Sequence, residues 1–514
     1  MSRGRARVVA GVLSQLAFSE LSNAVGLRQP NKGRAESKER EKARARAVRH
    51  ALEELGPFYV KIGQMLSTRP DMLPQYMIDE LQNLHEKVSV APFDIFEPVL
   101  EEELGHEWRD AFTSISTDKP LGAASLAQVY SVTLRTGERA VVKVQRPGID
   151  KVMLDDMALL KKVGKFMAKR KPDLDDVFDF DATLGIMFEA MEAELDFRVE
   201  ARNMEAARVA MQSFETLAVP EVIFVSKRVM VQQLAPGASI RDAIRDKFSD
   251  AEREAIGRDL LRFMYRGFFV DRMFHADPHP GNVFVEPGGK AYLIDWGMVG
   301  RMDRRRSLTF ASILVAIAQN DGQALAKSWI ELGRASSWAN IPAFVNDCCG
   351  FVPTVSGASM EDLHLGVALT QILKFSSRRG IQTSPLMALI GKAFANIEGS
   401  VSYLAPEVSI TDVFEEEFRD ILFDLVRELL SQEQAAQSVL ELMTGSMSII
   451  EQLRTVARDI SNREFTVNVN GIQGRRSRAE DRADARQSRS NRNALIAAGT
   501  VAWVLDRRSR RARS

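Results

Sequence analysis

The sequence predicts an α+β fold of two lobes, a small mixed lobe followed by a larger helical one, with a helical extension ahead of both. Three observations lead there. Leu126–Val132 and Arg139–Val144 are β-like runs joined by the turn Thr136-Gly137-Glu138, which reads as a hairpin. Helix-like patterns dominate afterwards, over Thr183–Phe214 and again in series from Phe310 to Phe465, including Leu422–Leu430 and Val439–Val456. Between these lies a short strand-like apolar run, Ala291–Ile294, beside a loop crowded with His, Asp, Pro and Asn.

That loop carries the chemistry. His275-Ala276-Asp277-Pro278-His279-Pro280-Gly281-Asn282 is followed by Leu293-Ile294-Asp295-Trp296-Gly297, so Asp277, Asn282 and Asp295 stand in order, five and thirteen residues apart. This is the spacing of a protein-kinase catalytic centre, in which a loop Asp orients the nucleophile while an Asn and a second Asp hold magnesium. Asp295, at the end of a strand beside the loop, presents the hard oxygen that magnesium accepts. His275 and His279, four residues apart, read equally as zinc ligands when taken alone. Pro278 and Pro280 make a continuous helix through them unfavourable, so they do not share a helical face as in H-E-x-x-H.

A phosphoryl-transfer loop also requires a lysine on an upstream strand. Lys143, in Arg139-Ala140-Val141-Val142-Lys143-Val144, falls where kinases carry the lysine of V-A-I-K. A strand lysine is more often a solvated edge residue, but this one follows a small-residue loop and a hairpin. The loop is Gly122-Ala123-Ala124-Ser125-Leu126-Ala127 where kinases have G-x-G-x-x-G. Alanines at 124 and 127 predict a stiffer loop with a different phosphate geometry. The lysine's acidic partner is sought on the helix-like stretch containing Glu192, Glu194, Asp196, Glu200 and Asn203. At about 100° per residue Asp196, Glu200 and Asn203 share a face, with Glu194 nearly opposite Asp196 unless the helix breaks there. Glu200 is the partner chosen, although acids on such a helix commonly form its solvated face.

Together these residues resemble the AarF/UbiB family of atypical kinases, whose eukaryotic members are coenzyme Q kinase-like proteins. The hallmarks are Lys61-Ile62-Gly63-Gln64, the loop Gly122–Ser125, Lys143, Glu194-Leu195-Asp196-Phe197 with Glu200 and Asn203, Asp277 to Asn282, and Asp295-Trp296-Gly297. The resemblance implies a two-lobed protein-kinase-like fold binding ATP (or ADP) and Mg2+. It assigns Lys143 to the phosphates, held by Glu200, the nucleotide to the loop Gly122, Ala123, Ala124 and Ser125, Asn282 and Asp295 to magnesium, and Asp277 to the nucleophile. It also implies that the K-x-G-Q helix, with Lys61, Gly63 and Gln64 matched to Glu194 and Asp196, restricts access of protein substrates. From periodicity alone, Leu52, Leu55, Val60, Ile62, Met65 and Leu66 show an ordinary buried helical pattern interrupted at Gly56-Pro57. The family's loop is often Ala-Ala-Ala-Ser, and Gly122 departs from it. The implied role is support of ubiquinone-like isoprenoid quinone biosynthesis or lipid handling at a membrane, by ATPase or kinase chemistry. A kinase acting on a protein or small-molecule acceptor would use the same residues, and a non-catalytic quinone or lipid carrier would use only the scaffold.

Composition fits a folded intracellular protein. The chain has 514 residues, 45% hydrophobic and 27% charged, with 69 basic and 69 acidic side chains that cancel, which argues against a nucleic-acid-binding polycation. The two cysteines, Cys348 and Cys349, are adjacent and offer no disulfide framework. The expected organisation is a basic segment over 1–50, a helical extension with the K-x-G-Q motif over 51–119, an N-lobe over 120–237, a C-lobe over 238–466 and a basic linker with an apolar tail over 467–514. Val9, Val12, Leu13 and Leu16 lie on one face of an expected amphipathic helix, without a convincing signal-peptide cleavage site after it. Ala494–Leu505 is a 12-residue apolar run followed by five arginines among Arg507–Arg513. As a helix it covers about 18 Å, short of a hydrocarbon core of about 30 Å. It reads as a membrane contact, with a packing helix as the alternative, which suits a protein on the cytoplasmic face of a membrane, peripheral or tail-anchored; the family resemblance adds quinone-biosynthesis proteins as the implied partners.

Overall fold

The expected hairpin forms, and it fixes where the lysine stands. In the computed structural model, strands β1 (Phe112–Ile115), β2 (Gly122–Ala123), β3 (Ala127–Leu134), β4 (Arg139–Gln145), β5 (Val222–Val225) and β6 (Val229–Gln233) make one sheet in the order β1-β3-β4-β6-β5, with β2 paired to β3. Residues 34–429 are described, apart from 68–72, 82, 85–89, 171–184, 186–187, 190, 337 and 357–364. The expected features at 9–16, 439–456 and 494–513 lie outside them.

The chain divides into two compact units. The first contains the described residues up to Arg198 together with Ile223–Gln233. Its β3 and β4 are antiparallel, with Tyr130 opposite Val142 and Val129 opposite Lys143. Alternation of side chains along β4 sends Ala140, Val142 and Val144 into a core with Phe93, Phe96, Trp108 and Tyr130, and Lys143 to the other face. The helical extension consists of helices α1 (Arg34–Leu55) and α2 (Pro57–Ser67), broken at Gly56, whose φ of 97° ends the first helix as a glycine in the left-handed region can. Leu55, Phe58, Tyr59 and Ile62 pack with Met153 and Met157 of helix α3 (Ile149–Arg170).

The second unit holds Val199–Val222 and the described residues from Leu234 onward. Most of helix α4 (Phe197–Ala210) belongs to it, as do α5 (Asp250–Phe269), α6 (Pro385–Leu404) and α7 (Ile410–Leu429). Helix α5 begins with a capping box between Ser249 and Glu252. Its Phe268 stacks on Phe394 of α6 with ring centroids 4.7 Å apart, and Phe269 stacks on Phe310. Against this aromatic core run short strands, β7 (Met273–His275) paired with β10 (Val299–Arg301), and β8 (Val283–Val285) paired with β9 (Ala291–Leu293). The mixed α+β class is therefore the observed one, with the large sheet in the first unit and the helices concentrated in the second.

One expectation is corrected. The stretch Thr183–Phe214 is not a single helix: helical residues reach Glu194, the chain leaves the helix at Asp196, and α4 starts at Phe197. Asp196 causes the break by capping, since its Oδ1 accepts the Arg198 backbone N–H at 3.0 Å. Asp196 is therefore the cap of α4 and not part of a face within a longer helix, whereas Glu200 and Asn203 lie inside it. Both are buried, so they are not its solvated face.

Candidate active site

In the second unit the loop between β7 and β8 is built around His275. This side chain is fully buried; its Nδ1 accepts the Asp277 backbone N–H at 3.1 Å, so its Nε2 carries the proton and donates to the Ile294 carbonyl at 3.1 Å. Burial holds its pKa below the usual imidazole range, outweighing the Ile294 carbonyl and the Asp295 and Asp277 carboxylates, which act the other way. One neutral ring thus ties the segment carrying Asp277 to the segment carrying Asp295. The same two segments are joined again by the Ile294 N–H, which donates to the Asn282 carbonyl at 2.9 Å.

Asn282 is buried and its Nδ2 donates to the Asp277 carbonyl at 3.1 Å. With the nitrogen committed to the backbone, Oδ1 is the atom left to face a cation. Asp295 follows Ile294 with φ of 60°, one of three non-glycine residues in the left-handed region among those described. That conformation is uncommon outside glycine, Asn and Asp, and occurs at sites where geometry matters more than ease. The next residue, Trp296, is fully buried, packs edge-to-face on His275 at 4.7 Å and donates from Nε1 to the Leu293 carbonyl at 3.0 Å. Its own carbonyl accepts from Asn203 Nδ2 at 3.0 Å, while Arg301 donates to Asn203 Oδ1. The hydrogen bonds thus join the Asp277–Asn282 loop to Ile294 and Asn203 to Trp296, the two residues that flank Asp295.

Asp277 has two partners that sequence reasoning missed. Asn396 Nδ2 donates to its Oδ1 at 2.6 Å, and Lys392 Nζ lies 3.1 Å from its Oδ2. Both come from α6, more than a hundred residues downstream. The available signal was a set of polar residues spaced by four in a largely apolar helix, which points to a common face but names no partner.

In the first unit Lys143 lies on a central strand, paired to Val129 on one side and Met230 on the other, with Nζ 5.1 Å from the centre of the Phe197 ring. Glu200, its expected partner, is buried on α4 and belongs to the second unit. The small-residue loop is a tight hairpin end: Gly122 pairs with Val129, Ala123 with Gln128, the Ala124 N–H donates to the Ala127 carbonyl at 2.8 Å, and Ser125 is buried. Lys61 meets Glu194 at 2.8 Å, both largely buried, and Gln64 Nε2 donates to the Leu84 carbonyl at 3.3 Å. Asp196 takes a two-pronged bond from Arg198, and Glu194 forms the ion pair with Lys61. A side chain at Gly63 would overlap the Leu84 methyl and come within 2.8 Å of Leu52 Cδ1, so close packing of α2 explains that glycine.

A family model described as the ABC1 atypical kinase-like domain matches residues 83–329. Lys392 and Asn396 fall beyond that span. An uncharacterized protein of Synechocystis is 30% identical over 361 residues, covering 68% of this chain and 88% of that one. A probable protein kinase UbiB of Marinobacter nauticus is 30% identical over 384 residues, covering 72% of this chain and 68% of that one. A Mycobacterium tuberculosis protein solved as a complex with erythromycin is 23% identical with a TM-score of 0.49, covering 74% of this chain and 97% of that chain. The 30% identity and the coverage of the Synechocystis and Marinobacter relatives, with the family-model match over 83–329, establish that the chain belongs to the AarF/UbiB family of atypical kinases.

Proposed function

We propose that this protein is a magnesium-dependent ATPase or kinase that supports isoprenoid quinone biosynthesis or lipid handling at a membrane. The observation that carries the reading is the hydrogen-bonded constellation in the second unit, in which His275 and Asn282 lock Asp277 and the Ile294–Asp295 segment to each other. A scaffold that only carried a lipid would have no need of a buried histidine spending both nitrogens on those two segments.

The donor set suits magnesium. Asn282 offers an amide oxygen and Asp295 a carboxylate, both hard, and magnesium takes one or two such protein ligands, completing its shell with water and phosphate oxygens. When bound, the ion neutralises charge on the β- and γ-phosphates. Lys143 is assigned to the phosphates, Glu200 to holding that lysine, and the hairpin Gly122–Ser125 to the nucleotide. Asp277 orients the nucleophile and receives its proton. With water as nucleophile, a bond forms from water oxygen to the γ-phosphorus as the bond to the β,γ-bridging oxygen breaks. The bonding pair leaves on ADP, and the proton passes through Asp277 to solvent, giving inorganic phosphate.

Membrane contact is assigned to the apolar run Ala494–Leu505 and its arginines, and to the basic N-terminal segment. No helix among the described residues is long and apolar enough to cross a membrane. The relatives named as probable UbiB kinases support the quinone connection.

Phosphate release from Mg-ATP by the purified chain, with and without anionic or quinone-containing liposomes, tests the reading against Asp295→Asn. Membrane-stimulated release that is lost in the variant supports a lipid-coupled ATPase. Transfer of labelled phosphate to an acceptor shifts the assignment to a kinase. Absence of nucleotide binding and turnover in both proteins sinks the enzymatic reading and leaves the carrier.

A further inference from the structure

Helix α6, PLMALIGKAFANIEGSVSYL, is apolar over most of its length, and among its polar residues Lys392, Asn396 and Ser400 recur at intervals of four. At about 100° per residue each interval advances about 40° around the axis, so the three lie along one slowly turning stripe. A polar stripe on a packed helix costs free energy unless its groups are bonded. Each of these is bonded to the same short piece of loop: Lys392 to Asp277 Oδ2 at 3.1 Å, Asn396 to Asp277 Oδ1 at 2.6 Å, and Ser400, fully buried, donating to the Pro278 carbonyl at 2.8 Å.

The bonds complete a restraint that the loop only begins. His275 takes the Asp277 backbone N–H and Asn282 donates to its carbonyl, which fixes the peptide but leaves the carboxylate free to rotate. One donor on each carboxylate oxygen removes that rotation. Each oxygen keeps further lone-pair capacity toward a hydroxyl or water, and Asp277 remains about one-third exposed on its side chain. Held on both oxygens and open at the front, the carboxylate has the arrangement a nucleophile-orienting group needs, because catalysis by positioning depends on small displacements.

We infer that Lys392 and Asn396 are positioning residues for Asp277, mounted on α6 with Ser400 anchoring the loop behind them. The inference rests on the proposed phosphoryl-transfer role of Asp277. It adds to the functional unit a helix that begins more than fifty residues past the end of the matched kinase-like domain. A helix used only to brace the loop would have its effect on stability and on nucleotide affinity together. A positioning stripe acts on the turnover step while the nucleotide stays bound as tightly as before.

The test uses the full chain with Lys392→Met, Lys392→Arg and Asn396→Ala, reading Mg-ATP turnover, KM for ATP, Mg-ADP affinity by calorimetry, and thermal melting. Lys392→Met keeps the aliphatic stem and removes the cation; kcat is expected to fall about 10–100-fold, the scale of a misplaced reacting group, with KM and Mg-ADP affinity within about threefold. Lys392→Arg restores the charge with a different fork and is expected to regain at least half of the loss on a logarithmic scale. Asn396→Ala, a smaller change that holds the test open should Lys392→Met fail to fold, is expected to lower kcat about tenfold with Mg-ADP affinity unchanged. Wild-type turnover accompanied by unchanged kcat in Lys392→Met and Asn396→Ala, or by losses confined to KM and melting temperature, overturns the inference alone. A wild-type chain that neither binds nor hydrolyses Mg-ATP overturns the phosphoryl-transfer reading and the inference with it.

Discussion

Asn203 and Trp296, 93 residues apart in the chain, are joined by a buried bond in which the asparagine Nδ2 donates to the tryptophan carbonyl at 3.0 Å. Trp296 directly follows Asp295, so an amide on α4 restrains the backbone beside the proposed magnesium ligand. The opposite end of that amide accepts from Arg301 at 3.0 Å. Asn203→Leu removes both bonds and leaves a buried carbonyl and a guanidinium without this partner, at a cost of about 1–3 kcal/mol. Urea unfolding measures that loss, and titration of nucleotide at varied magnesium concentration should show weaker magnesium binding, with the half-saturating magnesium concentration raised several-fold. Unchanged magnesium dependence in a folded variant would remove Asn203 from the support of Asp295.

Acid should destabilise the second unit through His275. Burial lowers its folded-state pKa, so the folded protein keeps this ring neutral at pH values where the unfolded chain, with an imidazole pKa of about 6.5, takes up a proton. The unfolded state then binds more protons, and stability falls as pH drops below about 6.5 until the folded-state pKa is reached. Above that window the contribution is flat. The slope is at most about 1.4 kcal/mol per pH unit for one proton. His275→Gln has no group to titrate and should be less stable at pH 8 but lose less on going to pH 5, as denaturant midpoints at the two pH values would show.

The order and spacing of Asp277, Asn282 and Asp295 were legible because a loop and the strand after it are local, and a tight loop followed by a two-strand turn leaves few ways to arrange them. The β3–β4 hairpin was legible for the same reason, since its turn and its alternation lie in one short stretch. The break at Asp196 stayed an open alternative in the sequence because periodicity over Thr183–Phe214 is set by apolar residues on both sides of the break, while the break itself comes from one side chain accepting one backbone N–H. Lys392 and Asn396 were illegible as site residues because their partner is 115 and 119 residues away, and only packing of α6 in the second unit brings them to it. Asn203 stood among the motif residues, yet its bond to the Trp296 carbonyl depends on tertiary contact that no spacing encodes.

Gly122 is a departure from the family's alanine that the backbone does not require. Its φ is not in the left-handed region, and a Cβ built there meets nothing within 4 Å. Alanine therefore fits without strain and lowers the entropy of the unfolded chain, so Gly122→Ala should stabilise the protein by about 0.4–1 kcal/mol. Thermal melting of the protein checks this. A destabilising result would mean that the hairpin Gly122–Ser125 needs a conformation other than the one seen.

The pair Lys61–Glu194 offers the sharpest separation of stability from regulation. At 2.8 Å and with about one-fifth or less of either side chain exposed, it stands between a surface ion pair, worth about 0–1 kcal/mol, and a fully buried one, whose disruption costs about 3–5 kcal/mol. Glu194→Gln keeps the shape and removes the charge, and should cost about 1–2 kcal/mol in urea unfolding. Gly63→Ala perturbs the same helix by another route, pushing the ends of Leu52 and Leu84 aside at a cost of about 1–3 kcal/mol, offset in part by the roughly 1 kcal/mol of helix propensity that alanine gains over glycine. If α2 restrains activity, as the family resemblance implies, both variants release phosphate from Mg-ATP faster than wild type despite their lower stability. A brace without a regulatory role gives the opposite pairing, in which turnover falls or stays level as stability falls. Because the two substitutions share only the helix they loosen, a rise in both cannot be ascribed to the lost charge or to the added methyl, and the restraint would lie in the docking of α2 itself.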